Sequence, residues 1–248
     1  MKSFGLTDKG TVRSENQDSF LLELYPEKGL TIAVLCDGMG GERAGGLASR
    51  LSDRAFATCV FERLRSSSGK TYDLEAIMRG ACAEANGVAY EYSRFGEEYR
   101  GMGTTIVGAV IKRSGSGYII NVGDSRAYLI SPLRKSIRQV TRDHSLVEEL
   151  VRFGAISRED AKTHPQRNVI TRALGSEESV FADLFPVKIG IGEILLLCSD
   201  GLSNTVEDRE ILETARKHRD PEELCRRLMD LALLRGARDN VTVIALRR

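Results

Sequence analysis

Apolar residues along this chain follow two rhythms. Over 42–64, Leu47, Leu51, Ala55 and Cys59 recur at helical spacing. Over 74–92, Leu74, Ile77, Met78, Ala81, Ala85, Val88 and Tyr92 mark one face of a long amphipathic helix. The serine-rich stretch at 66–70 between them reads as a loop. Denser apolar runs at 104–112, 117–122 and 126–131, separated by glycine and serine, predict three strands in an antiparallel meander. The stretch 145–174 changes character: short helical pieces, two histidines and a proline, with Ser157 to Asp160 fitting a helix-opening capping pattern. Strands follow at 182–188 and 193–198, then a helix at 207–217. The last helix is bounded by Asp220 as N-cap, Pro221 in its first turn and Gly236 as its stop, before a closing strand at 241–246. Runs of strands alternating with pairs of helices predict an α+β layered fold rather than βαβ units, as one domain over 1–248.

Length and composition exclude several classes. At 248 residues the chain can bury a substantial core, and its 42% apolar and 29% charged residues are neither a disordered nor a fibrous mix. Thirty-six Lys and Arg against 35 Asp and Glu leave a net charge of +1 and no basic stripe, which argues against nucleic acid as a partner. No apolar run approaches the roughly 20 residues of a membrane span, and residues 1–11 lack the apolar core of a signal peptide. Five cysteines without a CxxC pair point to reduced thiols and a cytoplasmic protein, with Cys36 and Cys198 as buried apolar positions.

Against that neutral background the placement of aspartates is informative. Apolar strands run out into Asp37, Asp124 and Asp200, whereas Asp239 sits just before the closing strand. Isolated carboxylates at the rim of a buried sheet are costly, so several converging there imply a shared cation. Carboxylates without clustered His or Cys suit Mg²⁺ or Mn²⁺. Two such ions about 4 Å apart acidify a water and clamp phosphoryl oxygens, which is what phosphate monoester hydrolysis at neutral pH requires. Taken singly, these residues mean little. An Asp-Gly pair is most often a plain turn, a lone Arg13 a surface charge, and His144, His164 or His218 a capping or surface residue.

Six motifs carry the set in order: RSENQD at 13–18, DGMGG at 37–41, GMGTT at 101–105, VGDSR at 122–126, SDGL at 199–202 and DNVT at 239–242. Together they closely resemble the metal-dependent protein phosphatase family of the protein phosphatase 2C type, in its bacterial form, over residues 3–246. The stretch 144–175, with HPQRN at 164–168, is similar to the flap segment of bacterial members. The resemblance implies a sandwich of two antiparallel sheets with a helix pair on each outer face and the flap beside the metal site. It implies that Asp37 bridges two Mn²⁺ or Mg²⁺ ions, that the Gly38 carbonyl binds one of them, and that Asp200 and Asp239 bind the other. Asp18 would hold metal-bound water, Asp124 with Asp200 would take a third ion, and Arg13 would grip the substrate phosphate. The implied activity is hydrolysis of phosphoserine and phosphothreonine in proteins by a water or hydroxide bridging the two metals, without a phosphoenzyme. The implied partners are phosphorylated proteins, targets of a serine/threonine kinase, with no nucleic acid and no membrane; the protein itself would be a monomer.

Three positions depart from the family's pattern. Met39 stands where some members carry a histidine acid, Gln17 where others carry glutamate, and Asn204 where relatives place an acidic third-metal ligand. None removes a core ligand. Rival chemistries fail on spacing: Arg43 lies one position too far from Cys36 for a cysteine phosphatase, Leu64 replaces the first glycine of a P-loop ending at Gly69-Lys70, and no HExxH occurs. Two readings of another class stand beside the enzyme. A phosphatase-fold protein that is catalytically weak or inactive, serving binding or regulation, would be expected to have lost a metal aspartate. A two-metal phosphodiesterase or nuclease is disfavoured by the near-neutral charge.

Overall fold

A computed structural model describes residues 1–41, 44–67 and 72–248. Its strands are β1 (Lys2–Asp8), β2 (Asp18–Tyr25), β3 (Leu30–Met39), β4 (Gly103–Thr104), β5 (Ile106–Lys112), β6 (Ser116–Val122), β7 (Arg126–Ser131), β8 (Ser136–Gln139), β9 (Asp183–Lys188), β10 (Ile194–Cys198) and β11 (Val241–Arg247). Its helices are α1 (Ala44–Ser66), α2 (Leu74–Tyr92), α3 (Leu146–Arg152), α4 (Arg158–Thr163), α5 (Asp200–Ser203), α6 (Asp208–Lys217) and α7 (Pro221–Leu234).

The apolar runs are unbroken because both faces of their strands are covered. On β3, Leu30, Ile32, Val34 and Cys36 pack outward against α1 and α2, while Ala33 and Leu35 pack inward against the other sheet. On β10, Ile194, Leu196 and Cys198 pack against α6 and α7, and Leu195 and Leu197 point inward. This period of two builds three apolar layers from two sheets. One sheet has the order β1-β11-β10-β7-β8; the other runs β2-β3-β5-β6-β9, with β4 added beside β3. All pairings are antiparallel. The expected sandwich with a helix pair on each outer face is what the chain forms.

Several local expectations needed correction. β5 and β6 pair as predicted, but β7 does not continue the meander: it joins β10 and β8 in the opposite sheet. The VGDSR turn is therefore a passage between sheets. Gly123 makes it with φ of 104°, where a Cβ would meet the Thr105 side chain at 2.5 Å. The buried face of α1 carries Ser49, Ser52, Asp53, Phe56 and Val60, rotated from the predicted stripe at Leu47, Leu51, Ala55 and Cys59, which is only half-buried. Polar residues on the buried face misled the periodicity; Asp53 is held there by the Ser19 hydroxyl, which donates to it at 2.5 Å. On α2 the stripe holds through Ala85, but Tyr92 is exposed. Ser66 closes α1, and the rest of the expected loop from 68 onward, like the expected helix start at 42–43, lies outside the described residues. The short elements β8 and α5 were not foreseen. Both capped helices start as read: Ser157 and Asp160 form a capping box, and Asp220 caps α7 ahead of Pro221.

Candidate active site

Five short segments meet at one rim of the sandwich. Asp37 is not at the end of its strand but inside it, because Gly38 and Met39 continue pairing with β4. Asp124 follows β6 at the passage between sheets, Asp200 opens α5 directly after β10, and Asp239 leads into β11. Arg13 comes from the loop between β1 and β2. The structure brings Arg13, Asp37, Gly38, Asp124, Asp200 and Asp239 onto one open cavity of about 630 Å³. Asn168 and Ile170, from the stretch 144–175, line the same cavity. Among the described lining residues five carboxylates, counting Glu15, face one guanidinium.

Asp18 does not line the cavity. It lies behind it, buried, with Oδ2 accepting from the Thr242 hydroxyl at 2.6 Å and the Ser199 hydroxyl at 2.8 Å, while Oδ1 is buried without a hydrogen-bond partner. Asp200 Oδ1 is orphaned in the same way, and its Oδ2 accepts from Asn204 Nδ2 at 3.0 Å. The amide that replaces an acidic residue thus touches a site carboxylate. Asp239 accepts from Arg13 Nη2 at 2.8 Å through Oδ2. The backbone of Asp37 is clamped, its N–H donating to Thr105 Oγ1 at 3.0 Å and its carbonyl accepting from Thr104 Oγ1 at 2.8 Å.

Electrostatics follow from that crowding. Burial, and then the charges of Asp18, Asp200, Asp124 and Asp239, push Asp37 well above the ordinary carboxylate range. Burial pushes Asp18 up to about 7 against the two hydroxyl donors, and Asp124 up to about 8 with the Asp200 charge adding to it. Asp200 is pushed up to about 6 by burial and then by the Asp239 charge. Carboxylates raised by burial and then by one another's charge, with two oxygens lacking any donor, are the groups a bound cation would neutralise. Among the described residues no three His, Cys, Asp or Glu side chains close on one point. Four aspartates on one cavity are a hard oxygen donor set, which fits divalent ions that complete their spheres with carbonyls and water.

Gly38 has a structural reason as strong as any chemical one. A Cβ there would fall 2.1 Å from the Gly45 carbonyl oxygen and 2.7 Å from that of Gln17, so the strand can approach α1 only as glycine. Met39 lines the cavity and carries no titratable group. Gln17 donates to the Gly41 carbonyl at 2.6 Å.

Sequence reasoning missed the supporting residues. Asn240 ties the Arg13 loop down, donating to the carbonyls of Lys9 and Glu15 and accepting from Gln17 N–H. Thr105 also bonds Ser125 Oγ at 2.8 Å, joining the Asp37 strand to the Asp124 turn. These residues sit inside the quoted motifs, so the signal was their company. His144 is neither a cap nor a surface residue: it is buried, accepts from Gly123 N–H at Nδ1, and lies 3.3 Å from Asp183 through Nε2. Burial lowers its pKa from the ordinary value. His164 and His218 do cap α4 and α6.

The pattern of the family described as Protein phosphatase 2C matches residues 10–230. The serine/threonine phosphatase stp of Listeria monocytogenes is 38% identical over 243 residues, covering 98% of this chain and 94% of the relative. The crystal structure of the serine/threonine phosphatase Stp1 of Staphylococcus aureus superimposes with a TM-score of 0.87 at 37% identity, covering 99% of this chain and 94% of that one. A PstP catalytic domain solved in complex with two manganese ions gives 0.83 at 32% identity, covering 98% and 96%. Fold, motif order and these likenesses agree: the chain belongs to the protein phosphatase 2C family.

Proposed function

We propose that this protein is a metal-dependent protein serine/threonine phosphatase that removes phosphate from phosphoserine and phosphothreonine in phosphorylated proteins. The observation that carries the reading is the convergence of Asp37, Asp124, Asp200 and Asp239 from both sheets on one cavity with Arg13. The naming of its relatives as serine/threonine phosphatases supports the substrate class. Mn²⁺ or Mg²⁺, two per site as in the PstP structure, would supply charge neutralisation and an acidified water when bound. All the metal aspartates are present, so nothing supports an inactive regulatory role.

In this reading Asp37 would serve both ions, the Gly38 carbonyl one of them, and Asp200 and Asp239 the other. Asp18, fixed by Thr242 and Ser199, orients water from behind through its free Oδ1. Asp124, with Asp200, would hold a third ion. Arg13 turns from Asp239 to the substrate phosphate, and its guanidinium fork orients the phosphoryl group. Met39 cannot supply a proton, so the leaving alkoxide takes one from solvent water in the open cavity. Residues 1–248 serve as one catalytic domain, and the stretch 144–175 acts as a flap that reads the protein around the phosphoresidue, with Asn168 and Ile170 nearest. The substrates are targets of a serine/threonine kinase, met by a monomer in the cytoplasm. The cysteines are free, and among the described residues no helix is long and apolar enough to cross a membrane.

Release of phosphate from a phosphothreonine peptide with Mn²⁺, with excess chelator, and by Asp239→Ala tests the reading. Manganese-dependent release that vanishes in both controls is expected. No release from folded, metal-supplied protein would overturn it.

A further inference from the structure

A second cavity, of about 420 Å³, lies between the turn joining β7 to β8 and the C-terminal end of α6. It is lined by Leu133, Lys135, Glu213, Arg216, Lys217 and Arg219. Four cations meet there with one carboxylate, and that carboxylate is already paired, Glu213 accepting from Arg209 at 3.2 Å. None of the four cations forms an ion pair among the described residues. Elsewhere on this balanced surface some arginines are ion-paired, Arg79 with Glu75, Arg226 with Glu222 and Arg235 with Glu210, and others such as Arg113 and Arg138 stand singly, whereas here four unpaired cations line one groove. The negative end of α6 accounts for Arg216 and Lys217 in its last turn. It does not account for Lys135 arriving beside them from a hairpin.

Lys135 carries a second, independent signal. Its φ is 54°, and it is the only non-glycine residue with positive φ among the described residues. Glycine or asparagine would sit at this turn position without strain, so a lysine there is held against its backbone preference. Beside it Leu133 is 70% exposed, giving the charged wall an apolar edge.

From these features we infer that the groove between the β7–β8 turn and α6 is a docking site for an acidic segment, carrying an apolar residue, of the phosphoprotein substrate. The inference rests on the phosphatase reading for the identity of its occupant, and charge complementarity selects the segment. β7 runs from Arg126, beside the aspartate rim, to Ser131 at the groove, a span of about 17 Å. The acidic segment must therefore lie at least about five extended residues from the phosphoresidue.

The test is binding of a fluorescent, unphosphorylated Asp/Glu-rich peptide containing one leucine, followed by anisotropy. Wild type and Asp239→Ala should bind it equally, and more weakly as salt is raised. The double variant Arg216→Glu/Lys217→Glu should bind about tenfold more weakly or worse. Lys135→Gly should bind severalfold more weakly while melting at the same or a higher temperature, since it removes charge and strain together. Both variants should hydrolyse a small aryl phosphate as wild type does, yet lose efficiency on a phosphothreonine peptide bearing the distant acidic run. Unchanged peptide affinity in the charge-reversed protein would overturn the proposal. So would loss of binding in Asp239→Ala, or tighter binding of single-stranded DNA of equal charge. Manganese-dependent hydrolysis of the aryl phosphate tests the phosphatase reading separately: hydrolysis without peptide binding sinks only the docking site, and binding without hydrolysis sinks the enzyme and with it the occupant's identity as a substrate, while the acidic-peptide groove stands.

Discussion

Asp18 and Asp37 are direct partners across the β2–β3 pair. Two carboxylates thus project from the same face of one sheet, at the spacing where like charges destabilise each other most. Burial raises both above the ordinary value of 3.8, Asp18 to about 7 and Asp37 well above that ordinary value, with the Asp18 charge adding to the rise at Asp37. Groups raised in this way bind protons in the folded state that the unfolded chain has released. Their contribution to stability is present below the ordinary value near 4 and is lost as pH rises through the folded value near 7. In chelator, wild type should therefore melt lower at pH 8 than at pH 5, and Asp37→Asn should flatten that difference. Added Mn²⁺ should restore the pH 8 melting temperature of wild type but not of the variant. Parallel pH profiles for the two metal-free proteins would contradict the pairing argument.

Arg13 and Asp239 make the other decisive contact. The guanidinium occupies Oδ2 of a proposed metal ligand, at 2.8 Å. Arg13→Ala should raise KM for a phosphopeptide about tenfold with a much smaller change in kcat, the pattern of lost phosphate binding. The same variant should bind Mn²⁺ severalfold more tightly by calorimetry, because a competing cation has gone. Loss of kcat at constant KM would remove Arg13 from the role of phosphate ligand.

Two glycines should respond in opposite ways to alanine. At Gly38 a Cβ meets backbone at 2.1 Å, so Gly38→Ala should cost about 2–4 kcal/mol in denaturant unfolding and lower metal affinity by moving the carbonyl. At Gly87, within α2, a Cβ meets nothing within 4 Å, and alanine should stabilise by about 0.5–1 kcal/mol. Equal effects would mean that the close approach of β3 to α1 carries no constraint.

Thr105 holds Asp37 N–H and Ser125 Oγ with one hydroxyl. Thr105→Val keeps the shape and strands a buried donor, which typically costs about 1–3 kcal/mol. We expect kcat to fall about tenfold or more with KM little changed, and Thr105→Ser to recover most of it. Activity of the valine variant at the wild-type level would reduce the bond to a packing detail.

Why some of this was legible in the sequence and some not has a physical explanation. The layers were legible because β3 and β10 are covered on both faces, which forces unbroken apolar runs, and because Asp220, Pro221 and Gly236 punctuate α7 by backbone chemistry alone. The partner of β7 was not, since a glycine-serine turn looks the same whether the chain folds back into its own sheet or crosses to the other. The buried face of α1 was hidden by Ser52 and Asp53, which no apolar period can reveal. At the site, aspartates announced themselves by standing against apolar strands. The hydroxyls of Ser199, Thr242 and Thr105 that hold them did not, because serine and threonine are unremarkable at strand ends until their partners are known. His144 looked like any isolated histidine; only the bond from Gly123 gives it a place.

β11 lies between β1 and β10, and Asp239 stands at its entrance. During synthesis from the N-terminus, β1 and β10 therefore emerge with their facing edges unpaired, and stay so until Val241–Arg247 is made. Nascent chains stalled before that point hold Asp18, Asp37, Asp124 and Asp200 but lack the strand that draws the sheet shut. Timing thus follows from topology: the last strand made is the one that joins the first strand to the rest of its sheet, and until then two edges stay open to pairing with other chains.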